Sequence, residues 1–143
     1  MNRPLLALIF YVEMSVYFPN SPTLAKALET PDLLVVLCFC AAWCDACKAY
    51  QTKFESLAQQ HPQACLIWVD IEDYPELLGD EDVENFPTLG MVQNGEIRFM
   101  GPLLPHIEHL NRLIQTMQVA GQSQKSGLPE DLLAQLQNLS LQS

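Results

Sequence analysis

Hydrophobic residues along this chain alternate between short uninterrupted runs and longer stretches in which they recur every three or four positions. The uninterrupted runs at residues 33–39 and 65–69 have the length of strands, and such runs are typical of strands buried on both faces of a sheet. The stretch 44–60 between them repeats at helical spacing and ends at a His-Pro pair, which predicts a helix. A strand, a helix and a second strand therefore form the centre of the expected fold.

Shorter elements are predicted on either side of this unit. Residues 16–18 favour a short strand, residues 24–28 favour a short helix, and the acidic segment after the second strand holds at most a short helix around Pro75–Leu78. The alternation of strand and helix signals indicates an α/β fold with a buried central sheet.

The residue pattern in the second half of the chain predicts a hairpin and two helices. Strand-like runs at 88–92 and 96–100 flank an Asn-Gly pair, which is a strong signal for a tight turn between antiparallel strands. An amphipathic helix is expected at 105–119, and leucines at helical spacing predict another helix after Pro129. This last helix either packs on its own domain or binds another protein, and the first outcome is the more frequent.

The length and composition suit one domain. With 143 residues and 49% hydrophobic content, the chain has enough apolar residues for one core. We expect an N-terminal extension of unassigned structure at 1–15, a domain at 16–120, and a linker with a C-terminal amphipathic helix at 121–143.

The N-terminal extension bears on where the protein is located. Its apolar run at residues 5–12 is shorter than the roughly 18–20 residues that span a bilayer, so we expect no membrane segment. Arg3 before this run faintly resembles a secretory signal, but no small-residue cleavage site follows. We expect a cytoplasmic protein, with export as the alternative if the run is a signal, and Met14 is an alternative start of translation.

The charge of the chain excludes one class of partner. Seven Lys and Arg against 17 Asp and Glu give a net charge of -10, which repels nucleic acid and anionic membranes. Eight of the carboxylates fall between Asp70 and Glu84. Such a cluster is usually a solvated surface, and it would also attract a basic partner.

The cysteines point to thiol chemistry. Five is an odd number, so at least one thiol is free in a monomer, which speaks against a purely structural disulfide framework. Cys44 and Cys47 form a Cys-x-x-Cys motif between the first predicted strand and the following helix. The unpaired N–H groups of the first helical turn stabilise a thiolate there, and residues three apart share a face. We therefore expect Cys44 to be the exposed nucleophile and Cys47 the buried resolving thiol.

Three motifs carry a family resemblance: Trp43-Cys44-x-x-Cys47-Lys48, Phe86-Pro87-Thr88 ahead of a strand, and Asn94-Gly95-Glu96 followed by Gly101. In these motifs the chain resembles thioredoxin over about residues 16–119. The resemblance implies a thioredoxin-like fold, in which helices flank a central mixed β-sheet. It also implies that the bond before Pro87 is cis and that Trp43, Phe86, Pro87 and Gly101 shape the groove for an extended substrate segment.

The residues between the two cysteines depart from the family pattern, since Asp45-Ala46 replaces Gly-Pro. A carboxylate at Asp45 disfavours the Cys44 thiolate and makes the pair more reducing. An interaction of about 1.4 kcal/mol changes a two-electron potential by about 30 mV, whereas thioredoxin and a strong oxidant differ by roughly 150 mV. Asp45 therefore modulates the reaction without fixing its direction.

A second departure concerns a buried charged pair of the family. Counting back from Cys44, the family's aspartate falls at Cys38, and its lysine partner falls at Trp68, so both charges are absent together. The resemblance assigns to this aspartate a role in deprotonating the resolving thiol. Either water, Glu72 or a neighbouring thiol therefore takes over proton transfer to and from Cys47, or exchange is slower than in typical thioredoxins.

The remaining cysteines are expected to pack as small apolar side chains. This applies to Cys38, Cys40 and Cys65, because buried free cysteine behaves as a hydrophobe. Cys40 has an alternative role, because it takes the place of a family tryptophan close to the active site, where it would trap Cys44 or Cys47 in a different disulfide.

The sequence therefore predicts a protein-disulfide reductase. The Cys44 thiolate attacks a disulfide of a protein substrate, and Cys47 then displaces the reduced product. This chemistry requires no metal or organic cofactor, a separate disulfide reductase regenerates the dithiol, and we expect a monomer or weak dimer. Two alternatives remain: a redox-inactive binding or chaperone module that holds a client protein, and metal binding through Cys38, Cys40, Cys44 and Cys47.

Overall fold

The structure is a computed structural model that describes residues 15–119 and 126–142. The strands are β1 (Leu34–Cys40), β2 (Ala64–Asp70), β3 (Thr88–Gln93) and β4 (Glu96–Pro102). The helices are α1 (Leu24–Ala27), α2 (Asp45–Gln60), α3 (Ile107–Val119) and α4 (Leu132–Leu141), with a 3₁₀ helix at Pro75–Leu78. The predicted signal-like run, the alternative start at Met14 and residues 120–125 of the linker lie outside the described residues.

The four strands form one mixed sheet in the order β2-β1-β3-β4. β1 and β2 are parallel, and the other two neighbouring pairs are antiparallel, which confirms the predicted fold class. In the β3–β4 turn, Asn94 and Gly95 both have a positive φ, of 53° and 79°, as the predicted Asn-Gly turn requires. The short strand expected at 16–18 is reduced to a single parallel bridge between Tyr17 and Ile67.

The sheet separates two apolar cores, because all seven residues of β1 are buried and successive side chains point to opposite faces. Alternate residues of β1, from Leu34 to Cys40, pack with α2 and α3 in one core. The residues between them, from Val35 to Phe39, pack with α1, the 3₁₀ helix and α4 in the other. The cysteines of the predicted site belong to the first core.

The C-terminal helix packs on its own domain, the more frequent of the two outcomes expected for it. Leu132 and Leu136 are buried in the second core. The buried hydroxyl of Ser140 accepts a hydrogen bond from the Ala25 amide at 2.9 Å and donates one to the Ser21 carbonyl at 2.6 Å. α4 is therefore fastened to the start of the domain by both apolar and polar contacts.

The segment before α4 approaches the loop after the 3₁₀ helix closely. The Asp80 amide donates a hydrogen bond to the Gly127 carbonyl at 2.7 Å. A Cβ atom on Gly79 would lie 2.6 Å from that oxygen, and Gly79 also has a φ of 58°. Glycine is required here for both its backbone conformation and its small size.

β4 forms one edge of the sheet, and Arg98 lies buried within this strand. Its guanidinium donates hydrogen bonds to the Gln93 side chain and, at 3.4 Å, to the Met117 carbonyl of α3. The charge therefore points into the layer between the sheet and α3.

Within residues 15–119 and 126–142, no helix combines the length and the apolar character needed to cross a bilayer.

Candidate functional site

Cys44 and Cys47 occupy the start of α2, directly after the loop that follows β1. Cys44 is the N-cap residue, with extended backbone angles and a half-exposed side chain. Its amide donates to the Ala41 carbonyl at 3.1 Å, and its carbonyl accepts from the Lys48 amide at 3.2 Å. Cys47 lies in the first helical turn and is only 1% exposed. Cys47 is therefore buried as predicted, whereas Cys44, which was expected to be exposed, is only partly so.

The structure places Cys47 in a disulfide with Cys40, whereas the sequence predicted a pair with Cys44. The two Cα atoms are 5.8 Å apart, inside the range of about 4.4–6.8 Å that disulfides require. Cys40 is the last residue of β1 and belongs to the same core as Cys47, which explains why the two sulfurs meet. Cys44 keeps a free thiol that packs against the edge of this core.

Cys38 completes a row of sulfur atoms beneath α2. Its Sγ atom is 4.0 Å from the Sγ atom of Cys40, which lies two residues further along β1 on the same face of the strand. Complete burial raises the pKa of the Cys38 thiol well above its ordinary value, so this residue is a neutral thiol. Trp68 is its register partner on β2, so the two positions of the absent charged pair are neighbours. Cys65 is buried in the second core, on the other side of the sheet.

Two aromatic residues form an exposed surface beside Cys44. The Trp43 side chain is 63% exposed, and its ring meets that of Phe86 edge to face with centroids 5.6 Å apart. The Trp43 indole Nε1 donates a hydrogen bond to Glu72 Oε2 at 3.2 Å. The peptide bond between Phe86 and Pro87 is cis, as the family resemblance implies. The structure thus brings Trp43 and Phe86 together at the rim of the site.

Gly101 lies on β4, where its register partner is Leu89. It lines a cavity of about 240 Å³ together with acidic residues that include Glu81 and Glu84. The lining of this cavity includes neither cysteine of the motif, so the structure groups Gly101 with the acidic segment.

A cleft of about 450 Å³ reaches Cys47 from the side of β2, and its lining includes Trp68 and Asp70. Asp70 is the register partner of Cys40. Glu72, which the sequence suggested as a proton acceptor, instead holds the Trp43 indole. Sequence reasoning missed that the carboxylates of Asp70 and Asp73 share this cleft with the resolving thiol, although their positions at and after the end of the second strand were visible.

The charge introduced between the two cysteines points into water. The Asp45 side chain is 99% exposed and forms an ion pair with Lys48 at 3.9 Å. Solvent and the neighbouring ammonium group both weaken the field of Asp45 at the thiol.

The four-cysteine metal alternative finds no support in this arrangement, since Cys40 and Cys47 are bonded to each other. Among the residues that the structure describes, no three His, Cys, Asp or Glu side chains form a group able to hold a metal ion.

Comparison with known proteins agrees with the geometry. The sequence model of the thioredoxin family matches residues 16–118. Thioredoxin-1 of Schizosaccharomyces pombe is 35% identical over 71 residues, which cover 50% of this chain and 69% of that protein. Thioredoxin-1 of Saccharomyces cerevisiae is 34% identical over 65 residues, which cover 46% and 63%. The chain thus spans about two thirds of the length of these relatives.

The fold also resembles that of solved structures. A chain in the complex of ferredoxin:thioredoxin reductase with thioredoxin f2 superposes with a TM-score of 0.62. The alignment covers 73% of this chain and 96% of that chain at 18% identity, so the likeness concerns the fold alone.

Proposed function

Because this chain belongs to the thioredoxin family, we propose that it reduces or exchanges disulfide bonds in protein substrates through Cys44 and Cys47. The observation that carries the proposal is the free, half-exposed thiol of Cys44 at the N-cap of α2. The thiolate form of this residue is the attacking species in disulfide exchange.

The reaction proceeds in two exchange steps. The Cys44 thiolate attacks one sulfur of the substrate disulfide, which forms a mixed disulfide and releases the other substrate sulfur as a thiolate. The Cys47 thiolate then attacks the Cys44 sulfur, so the second substrate thiolate leaves and a Cys44–Cys47 disulfide remains. Cys47 lines an open cleft with Asp70, which gives water and a carboxylate access to the proton that it must release.

The surface around Cys44 binds the substrate in this proposal. The exposed edge-to-face pair of Trp43 and Phe86 offers apolar contact to an extended segment. Pro87 lies next to this pair, while Gly101 lines the neighbouring acidic cavity. The acidic segment from Asp70 to Glu84 favours substrates whose disulfide is flanked by basic residues.

Recycling requires a separate disulfide reductase, because the oxidised chain must receive two electrons before its next cycle. One chain that shares this fold was solved in a complex of ferredoxin:thioredoxin reductase and thioredoxin f2, and by analogy with that complex we propose a reductase partner for this chain. We propose that the reductase docks on the same surface as the substrate, because both must reach Cys44.

A second candidate is a redox-inactive module that holds a client protein. The bond between Cys40 and Cys47 favours it, because this bond leaves Cys44 without its resolving partner. The two candidates differ in whether binding needs the thiol of Cys44.

The test is reduction of insulin disulfides with dithiothreitol as electron donor. We expect Cys44→Ser to reduce the rate to that of dithiothreitol alone, and Cys47→Ser to accumulate a mixed disulfide with insulin. Cys65→Ala is the matched control, because this cysteine is buried on the other side of the sheet, and it should keep the wild-type rate. Full activity of Cys44→Ser would refute the proposal, and unchanged client binding by that variant would support the module.

A further inference from the structure

Two cysteines in different environments lie near Cys47, one along the chain and one across the core. Cys40, at the buried end of β1, is bonded to it in the structure. Cys44, at the half-exposed N-cap, is three residues before it in the same helix, and both pack in the same core. The Cα atoms of Cys40 and Cys47 are 5.8 Å apart, a separation compatible with a disulfide, so this pairing requires no movement of the sheet.

We propose that Cys40 is a third redox-active cysteine, which accepts Cys47 from the Cys44–Cys47 disulfide and thereby restores a free thiol at Cys44. The inference rests on the proposed function, since the Cys44–Cys47 disulfide left by substrate reduction is its starting state.

The exchange is an isomerisation and needs no added oxidant or reductant. The Cys40 thiol loses its proton, and the resulting thiolate attacks the sulfur of Cys47. The Cys44–Cys47 bond breaks, the Cys40–Cys47 bond forms, and Cys44 leaves as a thiolate that takes up one proton. One disulfide and three free thiols are present before and after, so the number of electrons in the chain does not change.

The two isomers present different surfaces to a partner. In the Cys44–Cys47 isomer, the half-exposed residue carries the disulfide and is open to attack by a reductase. In the Cys40–Cys47 isomer, both bonded cysteines are buried, and the free thiol of Cys44 remains at the surface. The second isomer is therefore oxidised in its core and still able to form a mixed disulfide with a client, while Cys47 is no longer free to release that client.

The deciding measurement is a disulfide map of the oxidised chain. The reduced protein is oxidised with insulin disulfides or, separately, with oxidised glutathione, and its free thiols are then alkylated under native and afterwards under denaturing conditions. Cleavage on the amino side of Asp45 separates Cys47 from the peptide that holds Cys38, Cys40 and Cys44. Tandem mass spectrometry then shows which of these residues is linked to Cys47 and which carries an alkyl group.

We expect the wild-type chain to yield a Cys40–Cys47 link and a Cys44 that is alkylated already under native conditions. In Cys40→Ser, the link should move to Cys44, and native labelling of Cys44 in the oxidised chain should be lost. Cys40→Ala serves the same purpose if the serine variant folds poorly. Cys38→Ala is the matched control, since it removes the adjacent buried thiol and should leave the Cys40–Cys47 link in place.

The inference and the proposed function fail in different ways. A map of the wild-type chain with Cys47 linked only to Cys44, together with normal insulin reduction, would overturn the role of Cys40 and leave the reductase intact. Loss of insulin reduction in the wild-type chain, with a Cys40–Cys47 link after oxidation by glutathione, would overturn the reductase and retain the pairing of Cys40.

Discussion

The individual side chains under α2 differ mainly in how far water reaches them. Cys44 is half-exposed and free, whereas Cys38 is completely buried and keeps its proton. Tyr50 lies in the same core, and burial, with a smaller contribution from Cys38, raises the pKa of its phenol well above the ordinary range. A cysteine near the surface is therefore available for reaction, whereas a buried cysteine packs as an apolar side chain.

The phenol oxygen of Tyr50 is buried, and it has no hydrogen-bond partner within the described parts of the chain. An unsatisfied buried hydroxyl costs about 1–3 kcal/mol. We therefore expect Tyr50→Phe to raise the free energy of unfolding by about 1 kcal/mol in urea titrations. Phe54→Tyr, which adds a hydroxyl to the ring stacked on Tyr50, is the opposite control and should lower it. A stability loss in Tyr50→Phe would show that the hydroxyl does have a partner.

Because burial raises the pKa of Cys38, the free energy of unfolding depends on pH in the alkaline range. Its thiol ionises at about 8.5 in the unfolded chain but only at higher pH in the folded chain. The contribution of this difference in pKa to the free energy of unfolding is therefore fully present below pH ~8.5. It is lost as the pH rises toward the pKa of Cys38 in the folded chain.

We expect the free energy of unfolding of the oxidised protein to fall between pH ~8.5 and ~10, with Cys38 contributing a slope of up to about 1.4 kcal/mol per pH unit. Urea titrations across this range check the slope, and Cys38→Ala should make it shallower. Equal slopes for the two proteins would contradict the assignment.

Secondary-structure elements were predictable where their signal is local. The continuous apolar runs identified β1 and β2, the Asn-Gly pair identified the hairpin, and leucine spacing identified α4. The short strand expected at 16–18 is only a bridge at Tyr17, because a three-residue run has little local signal and its pairing depends on β2. The disulfide between Cys40 and Cys47 was predictable only as one of two alternatives for Cys40, since the choice of partner depends on which face of β1 meets α2.

The cleft beside Cys47 also depends on a pairing between distant parts of the chain. Asp70 enters it only because β1 and β2 pair in a register that sets Asp70 opposite Cys40. No spacing along the sequence fixes that register, whereas the burial of Cys47 follows from its place in an amphipathic helix.

The contact between α4 and α1 depends on one hydroxyl. Ser140→Ala leaves the Ala25 amide without its acceptor, which should lower the free energy of unfolding by about 1–3 kcal/mol. Urea titration measures this loss, and hydrogen exchange at the Ala25 amide should become faster. Asn138→Ala, at an exposed position of the same helix, is the control and should change neither. Unchanged exchange in Ser140→Ala would mean that the hydroxyl does not hold the helix.

In the molecule as a whole, the candidate redox site lies on one face of the sheet and the C-terminal helix α4 lies on the other. The four cysteines of the site lie in or against the core under α2, and α4 closes the opposite core. We therefore expect substitutions in α4 to change stability more than reactivity, because α4 packs on the face of the sheet opposite to the cysteines of the site.

We expect Leu136→Ala, at a fully buried position of α4, to lower the free energy of unfolding by about 2–5 kcal/mol. Leu141→Ala, in the same helix but 72% exposed, should stay within about 0.5 kcal/mol of the wild type. The rate of insulin reduction per folded molecule should be unchanged in both, as measured at a temperature where each is folded. A lower rate for folded Leu136→Ala would show that the two faces are coupled.

The end of β4 has a consequence for association between chains. An edge strand offers open backbone groups to any other strand, which is the usual start of fibril-like aggregation. β4 forms an edge of the sheet and ends at Pro102, which has no backbone N–H. A second strand that paired with this edge would therefore receive no hydrogen bond from residue 102, so the intermolecular ladder would be weakest where β4 ends.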